Sequence, residues 1–235
     1  MRHDDKKAVV LLSGGLDSAT TLALAMKEDY CIFPLTIVYG QKHAWEINSA
    51  KRLVKFYGLK NHKIFNLDLS VFGGSALTDE LEIPKNRSAN DMNDDIPITY
   101  VPARNTVFLS IALAFAETRD ASSIFLGVNA IDYSGYPDCR QEFIKAFESV
   151  ANLGTKMGIE GTKINIHTPL IHMKKDEIIK TGIALGVDYS LTHSCYDPGN
   201  DGISCGACDA CTLRKKGFQD AGLHDPLNYK NELQG

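Results

Sequence analysis

The sequence predicts an α/β protein: an open parallel five-stranded sheet with helices on both faces, followed by a small C-terminal metal-binding segment. Three observations predict it. Short apolar runs alternate with stretches of helical period, the pattern of βαβ units. The first apolar run ends in a glycine-rich turn, Ser13-Gly14-Gly15-Leu16-Asp17-Ser18, that leads straight into a helical pattern. Four of the 6 cysteines crowd the stretch from Cys195 to Cys211.

Taken in order, Val9, Val10, Leu11 and Leu12 make a buried strand at 9–12, and 18–27 is a helix. Residues 32–39 are β-rich in spite of Pro34. In 43–57, Ile47, Ala50, Leu53, Val54 and Tyr57 recur on one helical face, and Gly58 is placed to end it. A third strand follows at 63–67. The helix at 105–118 is nearly all apolar, with Val107, Phe108, Ile111 and Phe115 as its expected deep face. Residues 123–128 form the fourth strand. The helix at 141–153 is expected to turn Phe143, Ile144, Phe147, Val150 and Ala151 inward. A fifth strand lies at 163–167, and a helix at 175–185 stops at Gly186. One segment breaks the rhythm. Residues 72–97 carry Gly73, Gly74, Pro84, Asn86, Asn90, Asp91, Asn93, Asp94, Asp95 and Pro97. A loop this long is either a mobile flap over a site or an excursion without function.

Composition narrows the function. The 235 residues suffice for one large domain, or one with an appendage, and for a full core. A formal net charge of −4 argues against broad electrostatic binding to nucleic acid. No apolar run approaches membrane-spanning length, and the polar start Met1-Arg2-His3-Asp4-Asp5-Lys6-Lys7 lacks the apolar core of a signal peptide. A cytoplasmic protein is expected.

The glycine-rich turn points backbone N–H groups and the positive end of a helix dipole at one place, where a phosphate chain can sit. Gly14 and Gly15 admit the anion without a Cβ in the way, and Ser13 and Ser18 add hydroxyl donors. Asp17 is out of place in an anion site unless it holds the magnesium that accompanies a nucleotide. The Gly-Lys-Ser/Thr ending of a Walker loop is missing. The turn instead resembles the PP-loop, SGGxDS, of the ATP pyrophosphatase superfamily, whose members grip the pyrophosphate of ATP and adenylate an oxygen.

Cys195, Cys205, Cys208 and Cys211 are spaced C-x9-C-x2-C-x2-C. Two overlapping C-x2-C steps present sulfurs to one ion from a tight turn, and Cys195 closes a tetrahedron, the donor set of a structural zinc. An iron–sulfur cluster is the competing reading, weakened because the fourth cysteine lies upstream and no proline follows Cys211. Such clustering fits a reducing compartment rather than a disulfide framework. Arg214-Lys215-Lys216 follow and are expected on a solvated helix face. These features divide the chain into a nucleotide-binding α/β domain at 1–190 and a zinc-binding segment at 191–235 packed on it.

Four polar strings sit just past predicted strands or at a helix start, the edge where open α/β sheets bind ligands. They are Tyr39-Gly40-Gln41-Lys42-His43; Val101-Pro102-Ala103-Arg104-Asn105; the run from Gly127 through Asn129, Asp132, Tyr136 and Asp138 to Arg140; and Thr168-Pro169-Leu170 with Lys175. Together with SGGLDS and the cysteine spacing, their order along the chain resembles the 7-cyano-7-deazaguanine synthase family of the queuosine pathway nearly end to end. One departure is Ala103, where glycine is common.

The resemblance implies an adenine nucleotide alpha hydrolase-like fold, a homodimer, a four-cysteine zinc site, and a reaction. In it ATP and ammonia convert 7-carboxy-7-deazaguanine to 7-cyano-7-deazaguanine. Leu12, Ser13, Gly14, Gly15, Leu16, Asp17 and Ser18, with Tyr39, Gln41 and Asn105, would then hold ATP and its magnesium. Asp17, Ser18, Lys175 and Arg104 would serve the chemistry, and Asp132, Tyr136 and Asp138 the deazapurine. A solvated lysine at a helix start is the other reading of Lys175, and a helix cap the other reading of Asn105. Cys139 is either a thioimide-forming nucleophile or an inert small residue, and His43 either a base or a loop fastener. Two other functions stay in view. A PP-loop tRNA-thiolating enzyme would need a persulfide cysteine and a basic surface. A nucleotide-binding module would use its zinc ribbon to contact nucleic acid or protein.

Overall fold

The computed structural model describes residues 6–87, 96–131, 136–230 and 232. Strands β1 (Lys7–Leu11), β2 (Cys31–Val38), β3 (Lys63–Asn66), β4 (Ser123–Phe125) and β5 (Asn165–His167) form one sheet in the order β3-β2-β1-β4-β5. Every pairing is parallel. The helices are α1 (Leu16–Lys27), α2 (Trp45–Phe56), α3 (Arg104–Glu117), α4 (Gln141–Gly154), α5 (Lys156–Ile159), α6 (Lys175–Ala184) and α7 (Asp209–Ala221). Among the described residues no helix is long and apolar enough to cross a membrane.

The alternation of side chains in β1 builds two cores. Val9 and Leu11 pack on one face with Leu109 and Ala112 of α3 and Ile144 and Phe147 of α4. Ala8 and Val10 pack on the other with Leu22 of α1, Leu53 of α2, Ile178 of α6 and Phe218 of α7. The period of two of a strand buried on both sides requires this. Pro34 is tolerated in β2 because Cys31 and Leu35 are the residues whose backbone bonds β1, so the Pro34 nitrogen is on the β3 side, where pairing begins only at Leu35 and no ladder bond is lost. Strand order reverses beside β1, which lies between β2 and β4. That places the binding crevice at the carboxyl ends of β1 and β4.

Two expected helix faces are corrected. In α3 the deeply buried side chains are Leu109, Ala112 and Ala116. Val107, Phe108, Ile111 and Phe115 are only half-buried. The alanines let the helix axis approach the sheet, while Phe115 and Phe108 flank it edge-on to Phe33 and Tyr39. Because α3 is apolar on every side, periodicity offered no face to choose. In α4 Ile144, Phe147 and Ala151 are buried, but Val150 is 58% exposed.

The irregular segment is anchored where it is described. Ala76 N–H donates to the Ile98 carbonyl (2.8 Å), Lys85 bridges to Cys208, and Asn86 N–H donates to the Ala207 carbonyl (2.8 Å). Arg87 is ion-paired with Asp209. Residues 85–87 are therefore fastened to the cysteine segment; Asn90, Asp91, Asn93, Asp94 and Asp95 lie outside the described residues. Arg214 corrects the expected basic face. It is buried and donates to both Asp225 carboxylate oxygens (2.8 and 2.9 Å), to Thr192 Oγ1 (2.7 Å) and to the Tyr189 carbonyl (3.1 Å). It ties α7 to the loop that enters the cysteine cluster.

Candidate active site

The chain leaves β1 at Leu11 and turns sharply. Gly14 has φ +96°, and a Cβ there would lie 2.1 Å from the Glu46 carbonyl oxygen and 2.7 Å from the Ala50 nitrogen. The turn thus rests directly on α2, and only glycine fits it. Ser18, buried in the first turn of α1, accepts from Gly14 N–H (3.1 Å) and from Ser13 Oγ (3.1 Å) and donates to the Gly15 carbonyl (3.0 Å). Its hydroxyl fixes the loop's shape. Gly15 is the N-cap of α1 and contributes no side chain, so the helix start opens to the crevice. Ser194 Oγ accepts from Leu16 N–H (3.3 Å).

Asp17 and Lys175, read separately in the sequence, are partners. Lys175 Nζ donates to both carboxylate oxygens of Asp17 (2.8 and 3.0 Å). Lys175 opens α6 and is buried, its stem pressed against Gly217 of α7, where a Cβ would lie 2.3 Å from Lys175 Cγ. It is not a solvated lysine. The pair holds one cation and one anion beside the glycine-rich turn.

The opposite wall is built from the loop after β2 and the start of α3. Tyr39 is buried, and burial pushes its hydroxyl up to about 12, Arg104 opposing. Gln41 Oε1 accepts from Tyr39 N–H (2.7 Å) and fixes the loop. The Arg104 guanidinium lies 5.8 Å from the ring centres of both Tyr39 and Phe108. Asn105 does not cap the helix. Its N–H donates to Asp138 Oδ2 (2.9 Å), and its amide donates to the Asp138 carbonyl (3.2 Å) and Cys139 Sγ (3.3 Å). Asp138, a candidate substrate ligand, thus serves the N-terminus of α3 with one carboxylate oxygen and stands behind the cleft wall. Cys139 does reach the cleft, but burial pushes its thiol up to about 12. Among the described residues the thiol accepts from the Asn105 amide (3.3 Å) and faces Asp138 Oδ1 at 4.0 Å. Tyr136 lines the cleft with its hydroxyl 3.0 Å from Thr99 Oγ1. Asp132 lies outside the described residues.

Ala103 occupies the α3 N-cap in the left-handed region (φ 52°). The other described non-glycine residues with positive φ are all Asp or Asn. Ala103→Gly is expected to stabilise the fold by about 0.5–1 kcal/mol, read as a higher urea midpoint with unchanged slope.

The completed cleft is lined by Leu12, Ser13, Gly15, Leu16, Asp17, Ser18, Tyr39, Gln41, His43, Arg104, Asn105, Tyr136 and Cys139. Gly14 shapes it from behind. Gly127 and Asn129, from the string expected after the fourth strand, also line it, and residues that sequence reasoning missed complete it: Thr36, Glu46, Ser194 and Tyr196. Ser194 and Tyr196 flank Cys195, which was the available signal. The segment that carries the four cysteines also walls the cleft. His43 packs edge-on to His193 at 5.7 Å between ring centres, and burial lowers the affinity of both for protons, His193 to about 4.

The four candidate ligands converge. The sulfurs of Cys195, Cys205, Cys208 and Cys211 lie within 4.8 Å of one another, and Cys205 and Cys211 are 4.0 Å apart. A tetrahedral ion with bonds of about 2.3 Å sets its sulfurs about 3.8 Å apart. Backbone N–H groups of Tyr196, Cys205, Ala207 and Cys208 point at cluster sulfurs (3.2–3.5 Å), a donor set that supports thiolates. The residues present fit a metal ion.

The family model described as "Queuosine biosynthesis protein QueC" matches residues 7–222. The chain belongs to this family. It is 60% identical over 225 residues to the 7-cyano-7-deazaguanine synthase of Desulfatibacillum aliphaticivorans, covering 95% of this chain and 97% of that one. It is 58% identical over 224 residues to that of Paramagnetospirillum magneticum, covering 95% and 99%. Among solved structures, NMN synthetase from Francisella tularensis superposes with a TM-score of 0.51 at 16% identity, over 98% of this chain and 81% of that chain. That likeness concerns the fold alone. Full-length kinship with the family favours its reaction over tRNA thiolation.

Proposed function

We propose that this chain is an ATP-dependent carbon–nitrogen ligase that converts 7-carboxy-7-deazaguanine and ammonia to 7-cyano-7-deazaguanine. The single observation that carries the reading is the convergence of one SGGLDS turn, the Asp17–Lys175 pair, Arg104 and Tyr136 on one cleft at the strand-order reversal.

A carboxylate is a poor acyl donor because its oxygen leaves badly. Adenylation makes it a good leaving group, ammonia displaces AMP, and the product is an amide. A second adenylation, now of the amide oxygen, lets that oxygen leave and gives the nitrile. The turn from Leu12 to Ser18 would hold the phosphates with backbone N–H groups and the α1 dipole. Lys175 would offset charge that grows on the leaving pyrophosphate. Asp17 would hold the magnesium that accompanies ATP, the role a carboxylate beside a cation can take in an otherwise anion-binding turn. Tyr39, Gln41 and Asn105 would shape the nucleotide wall. Arg104 suits the 7-carboxylate, Tyr136 suits stacking on the heterocycle, and Asp132 suits its amidine edge.

Four cysteines without other donors favour zinc, held in a closed site that supplies folding energy rather than chemistry. Such thiols need a reducing compartment, which supports the cytoplasm. A homodimer would cover Val150, Leu153 and Ile159, which α4 and α5 leave exposed. The small-molecule partners are ATP, ammonia and the deazapurine acid, with no role for nucleic acid.

The test supplies 7-amido-7-deazaguanine directly. Conversion to the nitrile is expected to need ATP and to release one AMP and one pyrophosphate per nitrile. Conversion without ATP would contradict a shared activation site.

A further inference from the structure

Among the described residues two carboxylates line the cleft, Asp17 and Glu46. Asp17 gives both oxygens to Lys175. Glu46 is different. It stands in the first turn of α2, half-buried, with its own carbonyl pressed against the Gly14 turn. No donor among the described residues is hydrogen-bonded to its carboxylate. Its charged or titratable neighbours are Arg104 from α3 and Tyr39 from the end of β2. A carboxylate left uncommitted between the phosphate turn and the arginine suited to the substrate acid has no structural task.

The reaction lacks one component. Ammonia in neutral water is almost entirely ammonium, which has no lone pair. Each nitrogen step also releases a proton inside the cleft. The cleft's other candidate base, His43, packs on His193 and lies near the Cys195 and Tyr196 backbone on the metal side.

Resting on the function proposed above, we infer that Glu46 is the general base of both nitrogen steps, accepting a proton from incoming ammonium and later the N–H proton of the activated amide. In the first step ammonium gives one proton to the carboxylate. The freed lone pair forms the C–N bond, and the acyl C–O bond breaks with its electron pair on AMP. The surplus proton of the addition product passes to water. Glu46 then returns its own proton to water. In the second step the N–H bond of the adenylated imidate breaks, its proton going to Glu46 and its pair into the third C–N bond. The C–O bond again breaks with its pair on AMP. Burial holds the Glu46 carboxyl up at about 7, with Arg104 opposing, so the group can both take and release protons near neutral pH.

The test compares the full chain with Glu46→Gln, which keeps size and polarity but cannot accept the proton. Single-turnover pyrophosphate release from ATP and 7-carboxy-7-deazaguanine, without ammonium, is expected to stay within about twofold of the parent. Amide formation at pH 7 with ammonium is expected to fall about 10²-fold or more. The parent rate should rise with pH and level off above about 7. The variant should keep rising toward pH 9 as free ammonia increases, and Glu46→Asp should restore part of the plateau. An unchanged amidation rate and pH profile in Glu46→Gln would overturn the proposal. Loss of pyrophosphate release in the variant would also overturn it, because that marks a recognition or structural role. Absence of pyrophosphate release in the parent protein would instead strike the function on which the proposal rests.

Discussion

Asp17→Asn is expected to lower turnover by about 10³-fold or more, and to do so at both the acid-to-amide and the amide-to-nitrile steps. The variant removes the carboxylate that, in the function proposed above, would hold the divalent ion accompanying ATP. The structure adds a consequence that the sequence could not give. Asp17 neutralises a lysine that is itself buried. Breaking a fully buried pair costs about 3–5 kcal/mol, and Asp17 keeps some exposure, so the expected loss of stability is about 1–3 kcal/mol. Adding Lys175→Met removes the orphaned cation and should recover most of that stability while leaving the enzyme inactive. Urea midpoints and single-turnover rates on both substrates separate the two effects. Full activity in Asp17→Asn would show that the turn does not work through this carboxylate.

The second large effect belongs to the four-cysteine cluster. Cys208→Ser is expected to take bound metal from about one ion per chain to near zero and to cost several kcal/mol, since four-thiolate zinc sites supply about 10 kcal/mol or more of folding energy. Activity should fall as well. Ser194 and Tyr196 bracket Cys195 and line the cleft, and Ser194 accepts from Leu16 N–H at the start of α1. Arg87–Asp209 and the Lys85–Cys208 bridge fasten residues 85–87 to the same place. Losing the ion therefore loosens one wall of the substrate site, and the KM for the deazapurine should rise before kcat falls. Cys31→Ser, at an exposed position outside the cluster, is the control and should change neither metal content nor melting. Metal analysis and thermal melts decide; a Cys208→Ser protein that keeps its ion and its melting point would contradict this account.

What could be read from the sequence was local. The strand–turn–helix of the phosphate loop, the alternating βαβ order and the cysteine spacing are each written in consecutive residues, and each is found in the structure. What could not be read was pairing across the chain. Asp17 and Lys175 are 158 positions apart, and nothing in either neighbourhood names the other. Asp138 sits in a string that invites a substrate role, yet it serves the N-terminus of a helix that begins 34 positions earlier at Arg104. Arg214 sits among lysines, so it reads as surface, until Asp225 and the Tyr189 carbonyl enclose it. The face of α3 failed for a different reason: a helix apolar all round carries no period from which to choose. Ala103 marks the opposite case, since the position where the resemblance puts glycine is a left-handed one in the structure.

The central claim is that one cleft performs two ATP-driven nitrogen steps on one substrate. It is tested most directly by incubating the protein with ATP, ¹⁵N-ammonium and 7-carboxy-7-deazaguanine and following the deazapurine by mass spectrometry. The account predicts a labelled amide that rises and is consumed, a labelled nitrile as end product, and two AMP and two pyrophosphate for each nitrile. An unlabelled product, a reaction that stops at the amide with ATP still present, or ADP in place of AMP would contradict it.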